Sequence, residues 1–398
     1  MKKLLAILMA VAMLFCLAAC GAGDKTADIK VGFICLHDEK STYDLNFLKG
    51  VDEVKETLGL TDEQVIVKTN IPEGDECYQA AADLVDQGCD IIFANSFGHE
   101  DFMIKAAKEF TDVQFCHATG TRAHTEGLAN YHNAFASIYE GRYLAGVAAG
   151  LKLNEMIEAK KITADQAKMG YVGAFTYAEV ISGYTSFYLG AKSVCPTVTM
   201  EVQFTGSWYD AIEEKNAAEA LIAKKCVLIS QHADSMGAPS ACEAAGVPNV
   251  SYNGSTKDAC PNTFIVSSRI NWAPYYKYMI ECVKNGEAIA ADWCGGIAEG
   301  SVVLTEINET AAAKDTAAKL ETVKAGLKDG TVNVFDTKNF TVGGAAIAAD
   351  HKADVDTDDK FTPDTVVVEN GIFKESKFRS APYFDLRIDG ITLLNEKY

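Results

Sequence analysis

Aromatic rings and short polar side chains recur in this sequence at the points where apolar segments end. The rings are Tyr43, Phe97, Phe175, Tyr177, Trp208 and Trp272, and the polar groups are Asp44, Gln231, His232, Asp234 and Asn253. Rings stack on planar solutes, while amides, carboxylates and imidazoles exchange hydrogen bonds along a solute's edge. The combination predicts a binding site for a planar, neutral molecule such as a nucleobase. Sugars also stack on rings, so a sugar stays an alternative, as does packing of individual rings between lobes.

Motifs of common enzyme chemistry are missing from the sequence: it contains no GxSxG, GxxxxGK[ST], HExxH or GxGxxG. Cys116 and the histidines that follow it as far as His132 are spaced more widely than pairs of zinc ligands. The acidic run from Asp354 starts like a calcium loop, but Asp359 replaces the turn glycine and Thr365 the closing glutamate. We therefore predict no metal, no cofactor and no catalytic residue, with an exported nucleoside hydrolase as the enzyme alternative.

Residues 206–237 show how the polar groups are positioned. Asp210 and Glu213 predict the capped start of an alanine-rich helix, and residues 226–230 form an apolar run too short for another helix. The run ends in Gln231, His232 and Asp234, just before a second alanine-rich stretch. These side chains are therefore expected at the carboxyl end of a strand, where open α/β sheets bind small ligands.

The first part of the chain repeats this pattern. Apolar strands are predicted at residues 29–36, 65–69 and 90–94, and they alternate with amphipathic helices, the first of which ends at Gly59. The matching helix and strand of the second part begin 136 positions after their counterparts in the first, as Ala217 follows Ala81. We predict two α/β lobes with parallel sheets that face each other across a cleft.

The chain is expected to cross between these lobes three times, which makes a hinge. The crossings are predicted near residues 131–138, 266–272 and 295–301. The first lobe then comprises residues 29–133 and 267–298, and the second comprises residues 134–266 and 299–398. Near the end we predict a helix at residues 311–327, paired strands at 332–342 and a hairpin turn at Asn370 and Gly371.

The first residues predict export. Lys2 and Lys3 precede an apolar run that reaches residue 17, and small residues then lead to Cys20, as in a bacterial lipoprotein signal. Residues 1–20 are read as the signal peptide with Cys20 lipidated, and residues 21–28 as a tether on the outer face of the cell membrane. The net charge of −19 argues against a nucleic-acid partner, and the twelve scattered cysteines support no assigned disulfide. We expect a monomer.

The sequence also resembles the basic membrane protein family of substrate-binding lipoproteins. The resemblance rests on segments including YEGRYLAG at residues 139–146, GSWYD at 206–210, QH at 231–232 and NWAPYY at 271–276. It implies the type I periplasmic binding protein fold, with two Rossmann-like lobes. It also implies that the protein serves an ABC importer for purine nucleosides or related bases and delivers the solute to a membrane permease.

The resemblance further implies roles for individual residues. Tyr43 stands where family members place a stacking Phe or Trp, Asp44 occupies a position that is commonly Asn, and Phe175 corresponds to the ring of the second lobe. Nucleoside binders carry an acidic residue after the strand that here ends at Tyr252, but Asn253 follows it in this sequence. Residues 269–272 also offer no lysine for a ribose. These departures leave room for a free base or another planar solute.

Overall fold

The computed structural model describes residues 29–355 and 363–396, which form two α/β lobes. The expected signal peptide with Cys20 and the tether lie outside these described residues. Among the helices of the described part, none is both long and apolar enough to cross a bilayer.

The strands alternate with helices along most of the chain. In order, the strands are β1 (Val31–Ile34), β2 (Val65–Lys68), β3 (Ile91–Ala94), β4 (Gln114–Ala118), β5 (Tyr131–Ala136), β6 (Lys168–Gly173), β7 (Thr199–Phe204), β8 (Leu228–His232), β9 (Asn249–Tyr252), β10 (Phe264–Ile270), β11 (Asp292–Gly295), β12 (Val302–Leu304), β13 (Lys352–Ala353), β14 (Thr365–Val366), β15 (Val368–Glu369), β16 (Ile372–Phe373) and β17 (Ile391–Leu393). The helices are α1 (Thr42–Leu58), α2 (Asp75–Asp86), α3 (Glu100–Glu109), α4 (Ala123–Glu126), α5 (Ile138–Glu158), α6 (Ala178–Val194), α7 (Ala211–Ala223), α8 (Gly237–Ala245), α9 (Ala273–Asn285) and α10 (Thr316–Asp329).

Two sheets form the centres of the lobes. The first has six parallel strands in the order β11-β5-β4-β3-β1-β2. The second has seven strands in the order β12-β10-β9-β8-β6-β7-β17, of which only β12 runs antiparallel to its neighbour. All four residues of β1 and of β3 are buried, as expected of parallel strands covered by helices on both faces. The predicted α/β architecture with two parallel sheets is confirmed.

Helix ends follow the sequence signals closely. Ser41 caps α1 by accepting a hydrogen bond from the Asp44 amide, and Gly59 ends this helix in the left-handed conformation with φ 66°. Asp210 caps α7 by accepting from the amides of residues 212 and 213. The carboxylate that returns to the Asp210 amide belongs to Glu214, so the pairing predicted for Glu213 is wrong by one residue.

The chain passes between the two sheets three times, after β5, after β10 and between β11 and β12. All of β5 belongs to the first sheet and all of β10 to the second. The sheet boundaries therefore fall a few residues later than the predicted positions 133 and 267.

The last hundred residues complete the second lobe. Strand β17 extends its sheet beside β7, and α10 begins at Thr316, a few residues later than predicted. Asn370 and Gly371 join β15 to β16 with φ values of 53° and 77°, so the hairpin is confirmed. The paired strands predicted at residues 332–342 are wrong, because this segment consists mainly of turns with only isolated bridges to Ile372 and Ala345.

Candidate binding site between the lobes

A cavity, here called the inner chamber, lies between the lobes. Its lining residues are Leu36, His37, Tyr43, Ser96, Phe97, Thr119, Glu179, Trp208, His232, Asp234, Tyr252 and Asn253. Most of them lie just after the carboxyl end of β1, β3, β4, β8 or β9, or are the last residue of one of these strands. Parallel strands present these ends at one edge of each sheet, and the two edges face each other here.

The lobes touch each other around the chamber. The backbone amide and hydroxyl of Thr42 both donate to the Asp234 carbonyl, at 3.2 and 3.1 Å. The Asn46 side chain donates to Asn253 Oδ1 at 3.2 Å. These bonds join α1 of the first lobe to the loops of the second, so the structure shows the cleft in a closed form.

Aromatic rings line the closed chamber from both lobes. Tyr43 comes from the first lobe, where its hydroxyl donates to the Asn95 carbonyl at 2.7 Å and fixes the ring. Trp208 and Tyr252 come from the second lobe. Phe97 of the first lobe stacks on Tyr177 of the second, with centroids 5.1 Å apart. Rings therefore contribute both to the lining of the chamber and to the contact between the lobes.

Asp234 is the most heavily shielded carboxyl of the chamber. Its Oδ1 accepts from the Asn253 side chain at 3.1 Å, and Asn253 itself adopts the left-handed conformation with φ 65°. Burial, followed by the charges of Glu214 and Asp44, raises the pKa of Asp234 well above its usual value. The chamber thus places a carboxyl where its ionised form is costly without a ligand.

His232 and Glu179 form a second polar pair. His232 Nε2 lies 3.5 Å from Glu179 Oε1, while its Nδ1 lies 3.4 Å from the Tyr171 hydroxyl. Burial lowers the pKa of His232, although the neighbouring carboxylate of Glu179 acts in the opposite direction. Arg142 stands behind this pair and donates to the Tyr171 and Ser230 hydroxyls, each at 2.9 Å.

Six of the ten predicted ligand-binding residues line the inner chamber. They are Tyr43, Phe97, Trp208, His232, Asp234 and Asn253. Phe175 stands beside the chamber, because its ring stacks on Tyr177 and meets the edge of Trp208 at 5.0 Å. The structure places the other three elsewhere.

Those three residues support the site or the core. Asp44 lies behind Tyr43 and accepts from the His37 amide and from the Asn95 side chain. Burial raises its pKa, but these hydrogen bonds outweigh burial and hold the pKa below its usual value. Asp44, Gln231 and Trp272 are not among the residues that line the inner chamber.

Different contacts keep Gln231 and Trp272 out of the inner chamber. Gln231 accepts from the Asn249 side chain at 3.0 Å, because alternate residues of a strand point to opposite faces and His232 takes the face toward the cleft. Trp272 is 1% exposed and stacks on Phe47 at 4.5 Å, within the core of the first lobe. This packing in the core accounts for an aromatic residue at position 272.

The sequence prediction missed six lining residues. They are Leu36, His37, Ser96, Thr119, Glu179 and Tyr252. Five of them end a strand of the structure or follow one within three residues, so strand ends were the available signal. Glu179 lies in the first turn of α6, and no local pattern links that turn to the cleft.

The histidines near Cys116 have separate partners. His117 Nε2 lies 2.6 Å from the Ser96 carbonyl, His132 Nε2 lies 2.9 Å from Gln114 Oε1, and His124 pairs with Asp292. Across residues 29–355 and 363–396, no three His, Cys, Asp or Glu side chains converge in a way that could hold a metal ion.

The inner chamber continues into a wider cavity, here called the outer chamber. The two share Phe97, Thr119 and Glu179. The outer chamber is also lined by Arg379, Ala381 and Pro382 of the C-terminal segment. The nearby Ser380 donates from its amide and hydroxyl to Asp292 of β11, so this segment bridges from the second lobe to the first.

Comparisons with known proteins agree with this arrangement. Residues 36–334 match the family model for PnrA-like ABC transporter substrate-binding proteins. The chain is 31% identical to a purine-binding protein of Brucella abortus, over 79% of this chain and 85% of that protein. It is 33% identical to a putative ABC transporter glucose-binding protein of Haloferax volcanii, over 54% of this chain and 52% of that one.

Solved structures share the fold at low sequence identity. A solute-binding protein of an ABC transporter system from Aeropyrum pernix superposes with a TM-score of 0.62 at 17% identity. The match covers 77% of this chain and 92% of that chain. This likeness confirms the two-lobed periplasmic-binding-protein architecture.

Proposed function

Because the chain belongs to the family of PnrA-like ABC transporter substrate-binding proteins, we propose that its solute is a purine nucleoside or nucleobase, held in the inner chamber. The single observation that carries this proposal is the composition of the closed chamber. Tyr43 of one lobe and Trp208 and Tyr252 of the other enclose a space whose remaining walls include His232, Asp234 and other polar residues. Stacked rings and hydrogen-bonding edges are what a planar heterocycle requires.

Closure of the cleft would follow from binding. A ligand that contacts both lobes favours the closed form by its differential affinity for that form. The bonds from Thr42 to Asp234 and from Asn46 to Asn253 would then form together with the ligand contacts. Opening at the three crossings would release the solute to a membrane permease.

The location of the protein is a separate part of the proposal. Cys20 would carry the lipid that holds the protein on the extracytoplasmic face of the membrane. The test is metabolic labelling with a radioactive fatty acid, followed by separation of the membrane fraction. The label should be lost in Cys20→Ala, and an unlabelled wild-type protein would refute the anchor.

The ligand is tested by a thermal-shift screen of nucleobases, nucleosides and sugars. A ligand present at a hundred times its dissociation constant stabilises the folded protein by about 2.7 kcal/mol. Adenine, guanine or their nucleosides should raise the melting temperature. If sugars raise it and purines leave it unchanged, the purine proposal fails.

A sugar is the second candidate, because the Haloferax volcanii relative is named as a glucose-binding protein. The same screen separates the two ligand classes. An exported nucleoside hydrolase is tested by incubating the protein with inosine or adenosine. A receptor returns the nucleoside unchanged, whereas release of the free base would overturn the receptor assignment.

A further inference from the structure

Four polar residues on the wall of the inner chamber already donate hydrogen bonds within the protein. The Tyr43 hydroxyl donates to the Asn95 carbonyl, the Thr119 hydroxyl to the Ala118 carbonyl, and the Ser96 hydroxyl to Glu73. The Asn253 amide nitrogen donates to Asp234. What these groups can offer a ligand is therefore chiefly oxygen lone pairs.

The acidic residues around the chamber add further acceptor oxygens. Glu179 and Asp234 line it, and Asp44 and Glu214 stand behind Asp234 closely enough to raise its pKa. Within the described part of the chain, no lysine or arginine lines the inner chamber. Arg142 stands behind Tyr171 and Ser230, which separate it from the ligand space. A ligand that donates hydrogen bonds therefore matches the carboxyl oxygens of Glu179 and Asp234.

We propose that the inner chamber selects an uncharged purine that carries an exocyclic amino group over purines whose ring substituents are all oxo groups. This inference rests on the proposed function and specifies its substrate class. An amino group and a ring N–H donate to carboxylate oxygens. An oxo group in the same place is itself an acceptor, so its lone pairs would face those of the carboxylate. Purines that ionise to anions are excluded further by Glu179 and Asp234.

The expected discrimination follows from the cost of an unpaired buried group. Leaving a buried acceptor without a donor corresponds to about a ten- to hundredfold loss of affinity. Isothermal titration calorimetry of the purified full chain with adenine, guanine, hypoxanthine and xanthine measures this loss. At least one aminopurine should bind about tenfold or more tightly than both oxopurines.

The outcomes separate the two proposals. If hypoxanthine or xanthine binds as tightly as the best aminopurine, the inference is overturned while the purine function stands. If no purine or purine nucleoside binds and glucose does, the proposed function and the inference both fail.

Asp234→Asn tests the residue that the inference depends on. Asparagine keeps the shape and one oxygen for Asn253, but it replaces an acceptor with an NH₂ donor. The variant should lose the preference for aminopurines or reverse it. Asp258→Asn on the exposed surface makes the same charge change and should retain the wild-type preference. An unchanged preference in a folded Asp234→Asn protein would overturn the inference.

Glu179→Gln provides the test if Asp234→Asn does not fold, as judged by circular dichroism. Glu179 borders both chambers and pairs with His232, so its replacement alters the same polar wall at another position. A reduced ratio of aminopurine to oxopurine affinity supports the inference, and an unaltered ratio contradicts it.

Discussion

The two lobes share a sheet architecture but are braced by buried charges of opposite sign. In the first lobe Glu100 accepts hydrogen bonds from the amides of Thr121 and Arg122 and from the Tyr131 hydroxyl. In the second lobe Arg142 donates to groups on β6, β8, β9 and β10. The carboxyls that line the inner chamber, Glu179 and Asp234, also belong to the second lobe. The same scaffold is therefore braced differently in the two lobes, and among the described residues only the second lobe contributes carboxyl groups to the lining of the inner chamber.

The largest expected effect comes from removing the brace of the second lobe. Arg142→Met deletes a buried cation that is bonded to several strands, so the free energy of unfolding should fall by about 3 kcal/mol. Urea unfolding measures the loss. Hydrogen exchange should become faster in β8 and β9 while β3 and β4 keep their protection.

Glu100→Gln is the matched change in the first lobe. Glutamine keeps one acceptor oxygen, so the expected loss of stability is smaller, about 1 kcal/mol, and it should appear in the first lobe. Equal protection losses in both lobes for either variant would contradict separate bracing.

Removal of a stacking ring should have the next largest effect after the loss of Arg142. Tyr43→Ala and Trp208→Ala should each weaken purine binding by about 1–3 kcal/mol, because stacking on an aromatic ring contributes about that much per base. Calorimetry gives the affinities. Tyr78→Ala removes a ring from the outer side of the first lobe and should leave the affinity unchanged. If only one of the two chamber variants loses affinity, the ligand is held by one lobe alone.

The pH dependence of binding should reveal the contribution of Asp234, which lies in the polar wall of the second lobe. The pKa of Asp234 is raised in the closed structure, and a donor-bearing ligand favours the ionised form. Affinity should therefore fall as the pH is lowered through this raised pKa, by at most about tenfold per pH unit for one proton. Asp234→Asn should flatten this profile, as sampled in a titration series at steps of roughly one pH unit. An affinity that rises on acidification would mean that the ligand binds the protonated carboxyl.

The smallest effect is expected at the ring contact that joins the lobes. Phe97→Ala removes the stack on Tyr177, which contributes about 0.5–1.5 kcal/mol to closure. Stopped-flow kinetics should show this change mainly as faster ligand release. A change confined to the association rate would place the role of Phe97 in ligand entry instead.

The sequence predicted those parts of the site that follow directly from local patterns. His232 and Asp234 follow an apolar run, and that position at a strand end brings them into the cleft. Gln231 belongs to the same cluster, but its side chain points to the opposite face of the strand because successive side chains alternate between the two faces. Glu179 reaches the site from the first turn of α6, and local sequence contains no signal that links this turn to the cleft.

The presence of an aromatic residue alone predicted the lining of the chamber less well than position at a strand end. Trp208 and Trp272 both precede a helix, yet one lines the chamber and the other packs into the core beside Phe47. The difference lies in tertiary packing, because Trp272 stacks on Phe47 of α1 within the core. The three crossings and the parallel sheets were predictable because strand and helix signals alternate throughout the first 300 residues.

The most direct test of a purine solute held between the lobes is a fluorescence titration of the full chain, with calorimetry on the same sample. Trp208 lines the inner chamber, whereas Trp272 is buried away from it. Adenine or guanine should change the tryptophan emission with one ligand per chain, and Trp208→Phe should abolish the change while binding heat persists. A saturating response to glucose, with no heat or emission change from any purine or purine nucleoside, would contradict the account.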